Sequence, residues 1–169
     1  HINGGGVRIQ GGSSEIRYLT VGSDGGNGVG TMTGGTLNII ATLPPLPPNS
    51  PAASLQVGDF GGTGIFNQSG GTVIIAGGAS FNVGNQGGTG TYNISGGELR
   101  LTDALYSLGR STNASRNSDG TLNISGTGLV NMLDGTFTIG DRAGPGDAST
   151  AHGTVIQTGG TFRVAAGVL

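Results

Sequence analysis

Short segments of this sequence alternate strictly between polar and apolar residues. In the stretch that begins at Ser80, segments 80–83, 91–95 and 98–101 each follow this two-residue period, and glycine-rich stretches separate them. A period of two is typical of β-strands that bury one face. No helix-length segment shows the 3.6-residue period of an amphipathic helix. The pattern therefore predicts short strands joined by tight glycine corners.

The same pattern recurs along the chain with a spacing of about 25 residues, which is typical of solenoid repeats. Two anchors mark each unit, an apolar residue followed by glycine and then a hydroxyl residue followed by glycine. The anchors are Val21-Gly22, Val57-Gly58, Val83-Gly84, Leu108-Gly109 and Ile139-Gly140, and Thr33-Gly34, Ser69-Gly70, Ser95-Gly96, Ser125-Gly126 and Thr158-Gly159. Insertions interrupt the repeat at 41–53, 110–119 and 141–152. We predict one domain over residues 1–169.

One unit alone is too small to bury its apolar side chains, so the units must stack. We predict an all-β fold, a right-handed parallel β-solenoid (β-helix) of about five to six coils with about 25 residues per coil. Equivalent apolar positions should then form columns inside the stack. The columns expected are Leu19, Leu55, Phe81, Tyr106 and Phe137; Val21, Val57, Val83, Leu108 and Ile139; Phe66, Tyr92, Leu122 and Val155; Leu37, Val73, Leu99, Leu129 and Phe162; and Ile39, Ile75, Leu101 and Val164, with Asn131 as a polar break.

Glycine and asparagine add detail to this picture. The chain holds 38 glycines in 169 residues, and glycine adopts the positive φ angles and close backbone approaches that solenoid corners need. Asn67, Asn93 and Asn123 occupy one equivalent position in successive units. We expect their amides to form an outward-facing ladder, with Thr31 and Ile156 at its two ends.

Composition and charge exclude several classes of protein. The chain has no cysteine, so neither a disulfide scaffold nor a cysteine zinc site can form. Its seven basic residues are all arginine and its net charge is −2, which lacks the basic surplus of nucleic-acid-binding proteins. No apolar run approaches the ~20 residues of a membrane-spanning helix. We expect no cofactor, no nucleic-acid partner and no membrane-spanning segment.

The repeat units resemble a known family. The segments Gly90-Thr91-Tyr92-Asn93-Ile94-Ser95-Gly96-Gly97 and Gly120-Thr121-Leu122-Asn123-Ile124-Ser125-Gly126 are similar to the autotransporter-associated β-helix repeats of bacterial passenger domains. Similar repeats also occur in large secreted proteins of environmental bacteria. The resemblance covers roughly residues 18–167. It implies a secreted or surface-displayed β-helix, and it brings no catalytic motif.

Acidic residues are concentrated at the predicted corners. Three interpretations stay open for them: turn formation, calcium binding by hard oxygen ligands, and acid–base chemistry by a stacked carboxylate pair. Arg110 and Asp141 fall at equivalent positions of successive units, which predicts an exposed ion pair of little energetic consequence. The corner residues are Asp24, Asp59, Asp141 and Asp147 after the first strand of a unit and Asp103 and Asp134 after the third.

Two further features bear on binding. His1 and His152 are the histidines of the chain, and several coils should separate them, so a shared copper site is not expected. The first insertion is rich in proline and should be extended, in a polyproline II conformation with overlapping Pro-x-x-Pro spacings. It is either a stiff loop or a recognition loop, and its candidate contact residues are Pro44, Pro45, Pro47 and Pro48.

Both ends of the chain have strand-like sequences without a cap. Segments Ile2–Gln10 and Thr161–Leu169 contain no proline stop, lysine or charge run, so the end coils should expose strand edges and open core. Either a longer solenoid continues there, or molecules stack head to tail, which generates filaments. The predicted assembly residues are Ile2, Val7, Ile9, Phe162, Val164, Val168 and Leu169.

These observations predict a non-enzymatic extracellular structural protein, a subunit of a fibre or matrix or a segment of a surface stalk that associates with itself head to tail. The alternative is a carbohydrate-binding or carbohydrate-active β-helix, adhesin-like or polysaccharide-processing. Against that alternative stand the absence of tryptophan and an aromatic content of 5%. Tyr18, Tyr92 and Tyr106 would be its phenolic stacking surfaces.

Overall fold

The computed structural model describes residues 4–41, 53–103, 105–111, 116–142 and 149–165. These residues form strands and corners and no helix. The strands are β1 (Gly5–Ile9), β2 (Ser13–Ile16), β3 (Tyr18–Ser23), β4 (Asn27–Met32), β5 (Thr36–Ile40), β6 (Ser54–Asp59), β7 (Thr63–Gln68), β8 (Thr72–Ala76), β9 (Ser80–Asn85), β10 (Thr89–Ile94), β11 (Glu98–Leu101), β12 (Leu105–Ser111), β13 (Ser118–Ile124), β14 (Leu129–Met132), β15 (Thr136–Arg142), β16 (Ala151–Gln157) and β17 (Thr161–Val164).

The chain visits three sheets in turn, and each strand pairs in parallel with the strand three places later. Sheet I is ordered β1-β4-β7-β10-β13-β16, sheet II β2-β5-β8-β11-β14-β17, and sheet III β3-β6-β9-β12-β15. Parallel strands cannot be joined by hairpins, so one full turn around the axis separates paired strands. The predicted parallel β-solenoid of five to six coils is confirmed.

The predicted insertions lie between strands, and two are shorter than expected. The first fits, because β5 ends at Ile40 and β6 begins at Ser54. The second insertion is shorter than the predicted 110–119, because β12 extends to Ser111 and β13 begins at Ser118. The third insertion is shorter than the predicted 141–152, because β15 extends to Arg142 and β16 begins at Ala151.

Three of the five predicted core columns have the expected register throughout, and a fourth has it except in β14. Leu19, Leu55, Phe81, Tyr106 and Phe137 are successive partners on sheet III, as are Val21, Val57, Val83, Leu108 and Ile139. Phe66, Tyr92, Leu122 and Val155 align on sheet I. Ile39, Ile75, Leu101 and Val164 align on sheet II through Met132. In the middle coils these side chains are fully buried.

The fifth column shows that the predicted register of β14 is wrong by one residue. Val130 aligns with Leu99 and Met132 with Leu101, so Leu129 and Asn131 face outward and the core has no polar break there. The reason is corner length, since Ser125-Gly126-Thr127-Gly128 holds one residue more than Ser95-Gly96-Gly97. A shift of one residue turns every side chain of a strand to the opposite face.

Asn131 instead joins a surface charge cluster on sheet II. Its amide donates a hydrogen bond to Glu98 Oε1 at 2.9 Å. The Arg100 guanidinium donates to both oxygens of the same carboxylate, at 3.1 and 2.9 Å, and these bonds hold the pKa of Glu98 below its ordinary value. The extra corner residue therefore moves Asn131 out of the core to an outer hydrogen bond with Glu98, and Asn131 Oδ1 is buried there without a hydrogen-bond partner among the described residues.

The corners that lead from sheet III to sheet I are stacked tight turns. In three successive coils the two central residues have positive φ, and a backbone N–H closes each turn on the carbonyl three residues earlier, at 2.8, 2.8 and 2.9 Å. This geometry is typical of type I′ turns. The central pairs are Asp24-Gly25, Phe60-Gly61 and Gln86-Gly87. Asp24, Phe60 and Gln86 have a positive φ, which non-glycine residues tolerate poorly. We infer that the hydrogen bonds between stacked coils keep these turns in this conformation.

Two columns of glycine bring sheets I and III into backbone contact, and we call this contact the glycine seam. A Cβ atom at Gly58 would lie 2.1 Å from the Thr89 carbonyl oxygen, and one at Gly90 would lie 2.0 Å from that of Val57. Neither sheet leaves room for a methyl group. The seam alternates between the sheets as Gly22, Gly64, Gly58, Gly90, Gly84, Gly120, Gly109 and Gly153.

The asparagine ladder is confirmed. The Asn93 amide donates to Asn67 Oδ1 at 2.8 Å, and the Asn123 amide donates to Asn93 Oδ1 at 2.7 Å. All three side chains lie on the outer face of sheet I and are half-buried. Thr31 and Ile156 flank the ladder, as expected.

The core also contains a polar pair that the repeat pattern does not predict. Gln68 is buried in a column with Met32 and Ile94. Its Oε1 accepts a hydrogen bond from the Tyr92 hydroxyl at 2.7 Å, and its amide donates to the carbonyls of Gly71 and Glu98. Burial raises the pKa of Tyr92 above its ordinary value, which keeps the hydroxyl protonated as a donor. A glutamine between Met32 and Ile94, in the interior of an apolar column, is the signal in the sequence that points to this pair.

We expect Tyr92→Phe to lower the free energy of unfolding by about 1–3 kcal/mol, because it leaves a buried Gln68 acceptor without its donor. Equilibrium denaturation in urea measures the effect. Tyr18→Phe is the control: its hydroxyl donates to Gln56 at 3.0 Å on the half-buried outer face, where water can replace the bond. Equal losses in both variants would contradict a special role for the core pair.

Candidate functional site

The strongest candidates for a functional site are the two ends of the solenoid. One end presents the outer edges of β1, β2 and β3, and the other presents those of β15, β16 and β17. Among the described residues each of these strands has one neighbour, so one edge of its N–H and C=O groups is open to pairing. We call them the β1 end and the β17 end.

The predicted assembly residues divide between these ends. Val7 and Ile9 lie on β1, and Phe162 and Val164 lie on β17. Ile2, Val168 and Leu169 lie outside the described residues. The four described side chains point along the core columns, because Ile9 pairs with Met32 and Val164 with Met132. These four side chains therefore lie at the two ends of the core that the described residues form.

Burial falls sharply at the β17 end. The equivalent side chains Val21, Val57, Val83 and Leu108 are fully buried, whereas Ile139 in the same column is 51% exposed. Phe162 packs edge-on against Phe137 with ring centroids 5.5 Å apart and is still half-buried. Ile9 and Ile16 are half-buried at the β1 end. Among the described residues both ends thus combine free strand edges with apolar side chains that are half-buried at the β1 end and half-buried or exposed at the β17 end.

The two ends also carry opposite charges at one position of sheet II. Glu15 on β2 begins the column that continues through Asn38, Ile74, Arg100 and Asn131 to Arg163 on β17. Both Glu15 and Arg163 are exposed. If one molecule continued the column of another, the Arg163 guanidinium would lie one strand spacing, ~4.8 Å, from the partner's Glu15 position.

The predicted acidic corners have three different environments. Asp24 is exposed in its turn, as a turn former should be. Asp59, one position earlier in the next turn, is fully buried at 0% exposure. Asp59 does form a turn, because its carbonyl accepts from the Gly62 N–H and its Oδ1 from the Phe60 N–H, but its position at the end of β6 also buries the side chain, which the turn interpretation does not predict. Asp147 lies outside the described residues.

The carboxyl of Asp59 is incompletely paired. Its Oδ1 accepts hydrogen bonds from the Phe60 N–H and from the Asn85 amide, both at 3.0 Å. Its Oδ2 and the Asn85 Oδ1 are buried and have no hydrogen-bond partner in the described part of the chain. Burial, with a smaller contribution from the Asp24 charge, raises the pKa of Asp59 to about 6. A proton on Oδ2 would give the orphan amide oxygen a donor.

Of the remaining acidic corner residues that the structure describes, Asp103 and Asp134 lie in bends and Asp141 forms an ion pair on the surface. Asp103 and Asp134 do stack in adjacent coils, and the Asp134 carboxylate accepts a hydrogen bond from the Asp103 backbone N–H. The predicted Arg110–Asp141 ion pair is confirmed at 3.2 Å, with both side chains more than one third exposed. Such an exposed pair contributes at most about 1 kcal/mol.

The histidines and acidic side chains do not assemble into a metal centre in the described ranges. No group of three or more His, Cys, Asp or Glu side chains there is placed to hold a metal ion. His152 lies on β16 with its Nδ1 4.0 Å from Asp119 Oδ1, and His1 lies outside the described residues. Within these ranges, no helix has the length and apolar character to cross a membrane.

Two expectations about binding surfaces have different outcomes. Tyr92 and Tyr106 are buried at 0% and 1% exposure, so their prediction as stacking surfaces is wrong, since both rings point into the core. Tyr18 is half-buried. The candidate recognition residues Pro44, Pro45, Pro47 and Pro48 lie outside the described residues.

The chain was compared with protein-family models, with curated proteins and with solved structures. None of the three comparisons finds a match. The similarity to autotransporter-associated β-helix repeats therefore stays a prediction from the repeat sequence, and the solenoid itself is what the structure establishes.

Proposed function

We propose that this protein is a non-enzymatic structural protein of the bacterial cell surface or extracellular space, and that its solenoid extends by end-to-end pairing with a second copy. The observation that carries the proposal is that, among the described residues, strand edges at both ends lie beside apolar columns that no further coil covers. The location rests on the resemblance of the repeat to secreted passenger domains.

Continuing the sheets from one copy to the next brings complementary residues together at three positions. Continuing sheets I and II across a joint sets Val155 against Val7, Val164 against Ile16 and Arg163 against Glu15. Apolar residues thus meet apolar residues in these two core columns, and opposite charges meet on the outer face. In the other two core columns the same register sets Phe162 against Ser14 and Gln157 against Ile9. Contacts of this heterologous kind extend into filaments when the rotation does not close.

The same register leaves sheet III incomplete at the joint. Among the described residues sheets I and II have six strands and sheet III has five. A joint that continues the first two sheets therefore separates β15 of one molecule from β3 of the next by two strand spacings, ~9.6 Å. Strand pairing across the joint would continue sheets I and II, whereas no paired strand would cover Ile139 on sheet III.

A charge exchange tests the register. We expect Arg163→Glu and Glu15→Arg each to weaken self-association about tenfold at low salt, because each sets like charges against each other. The combined Arg163→Glu/Glu15→Arg variant should restore it. Sedimentation velocity across a concentration series measures the association, and electron microscopy shows whether the assemblies are linear.

The matched control is Arg116→Glu, which makes the same change in net charge beside Gly87 in the middle of the stack. It should leave association unchanged. A wild-type protein that stays monomeric at every concentration would overturn the proposed function. A double variant that fails to recover would overturn the register while leaving end-to-end pairing intact.

A further inference from the structure

A cavity of about 360 Å³ lies on the outer face of sheet III, across β9, β12 and β15. This volume is in the range of small-molecule binding sites. Ser80, Asn82, Ser107 and Thr138 line it with hydroxyl and amide groups. The cavity reaches β15, the edge strand of sheet III at the β17 end, but it opens on the outer face of that sheet, whereas end-to-end pairing uses the strand edges and the core columns.

The polar lining is held in place before any ligand arrives. Asn82 and Ser107 are 3% and 4% exposed, and the Ser107 hydroxyl donates to Asn82 Oδ1 at 2.7 Å. The Asn82 amide points one N–H to Ser80 Oγ in a long contact of 3.4 Å. An amide nitrogen has two N–H groups and a hydroxyl oxygen accepts two bonds, so donors and acceptors remain for a ligand.

The rim supplies an apolar surface beside these groups. Leu105 lines the cavity and is 66% exposed, the largest exposure among the described large apolar side chains. It begins β12 and pairs with Thr136 of the next coil on sheet III. A ligand that presents hydroxyls on one side and C–H groups on another would satisfy both surfaces at once.

The charges at the far side of the cavity cancel. The Arg110 guanidinium and the Asp141 carboxylate both line it and form an ion pair at 3.2 Å. Nε is the nitrogen engaged, and a guanidinium has five N–H groups, so it can still donate to a neutral oxygen. An anionic ligand would have to compete with Asp141.

We infer that this cavity binds a neutral oligosaccharide, with the hydroxyl and amide groups fixing its orientation and Leu105 contacting a C–H face. The inference does not rest on end-to-end assembly, because its lining residues face outward from sheet III, and the proposed joint leaves β15 without a paired strand. In an assembled fibre it would place one polysaccharide contact on each molecule.

A glycan array carrying neutral and uronic-acid oligosaccharides tests this inference, followed by titration calorimetry with the bound glycan. We expect binding to neutral glycans that Leu105→Ser weakens at least tenfold without lowering the thermal midpoint, since Leu105 is exposed. Ile65→Ser is the matched control, because Ile65 is an exposed apolar residue on sheet I. It should bind as the wild type does.

A second variant separates the polar contribution. Thr138→Val keeps the shape of a half-buried residue and removes its hydroxyl, and it should also weaken binding. The inference is overturned if no neutral glycan binds, if acidic glycans bind instead, or if Ile65→Ser reduces affinity as much as Leu105→Ser. None of these results depends on whether the protein forms filaments.

Discussion

Gly84→Ala is expected to lower the free energy of unfolding by more than about 4 kcal/mol, which is a large part of the ~5–15 kcal/mol typical of a domain. Gly84 has a φ of +69° and its new Cβ would lie 2.1 Å from the Asp119 carbonyl oxygen and 2.8 Å from the Gly120 nitrogen. Both neighbours are backbone atoms of sheet I, so no side-chain rotation can relieve the overlap. Equilibrium denaturation measures the loss, and a fluorescent dye reports exposed apolar surface.

Two further alanines separate the causes. Gly78 has a similar φ of +80°, but no atom lies within 4 Å of the position that a Cβ would take there. Gly78→Ala should therefore cost only the ~1–2 kcal/mol of a left-handed residue. Gly90→Ala tests the overlap alone, because Gly90 has no positive φ and its Cβ would lie 2.0 Å from the Val57 oxygen. If Gly78→Ala and Gly84→Ala were equally costly, close sheet contact at the seam would not be the cause.

The protein is expected to be less stable at pH 7 than at pH 4 by roughly 2–2.5 kcal/mol on account of Asp59 alone, which is most of a total effect of about 3 kcal/mol that is complete only below pH 3.8. Burial raises the pKa of Asp59 from 3.8 to about 6. Between these values the unfolded chain releases the proton while the folded protein retains it, so the free energy of unfolding falls as pH rises and levels above pH 6. A shift of about two pKa units corresponds to about 3 kcal/mol at ~1.36 kcal/mol per unit.

Asp59→Asn should remove this pH dependence, since an amide cannot ionise and its N–H can donate where the carboxylic acid would. The test is the difference between wild type and variant in urea-denaturation series from pH 4 to pH 8. Comparing wild type with variant is necessary because Glu98 has the opposite effect on stability. Arg100 lowers the pKa of Glu98, so the contribution of Glu98 to the free energy of unfolding is lost as pH falls.

Asp24→Asn is the matched control on the preceding coil. It should keep the decline and move its midpoint to lower pH, because the Asp24 charge is one of the causes that raise the pKa of Asp59. A wild-type protein whose stability does not change relative to Asp59→Asn over this range would show that Asp59 is ionised throughout, and the orphan oxygens would then need another partner.

The register of strand residues that follow a clear two-residue period can be predicted from this sequence, whereas the number and placement of corner residues cannot. The columns of β3, β6, β9, β12 and β15 can be aligned from sequence because the apolar-Gly anchor recurs in every unit. The register of β14 cannot, because one additional corner residue, Thr127 or its neighbour, is invisible to a pattern that counts only apolar positions. Because side chains of a strand alternate between its two faces, a slip of one residue reverses all of them, so Leu129 and Asn131 exchange faces with Val130 and Met132.

The candidate sites divide in the same way. The open ends follow from uncapped strand patterns, so the sequence predicts the positions of Val7, Ile9 and Phe162. It does not predict the burial of Asp59, since Asp24 and Asp59 occur in similar Asp-containing corners and differ only in position relative to the turn. The cavity near Leu105 joins residues of three coils, and no local pattern indicates a concave surface.

The class of architecture follows from the sequence alone, because strands of period two with glycine corners at a constant spacing can bury their apolar faces only by stacking. The asparagine ladder and the Arg110–Asp141 pair follow from it too, since they need nothing beyond equal register. Why the glycines are needed where they are becomes visible only in the three-dimensional packing. The seam between sheets I and III is made of backbone atoms from alternate coils, and a contact between two distant backbones leaves no sign in either sequence segment except the absence of a side chain.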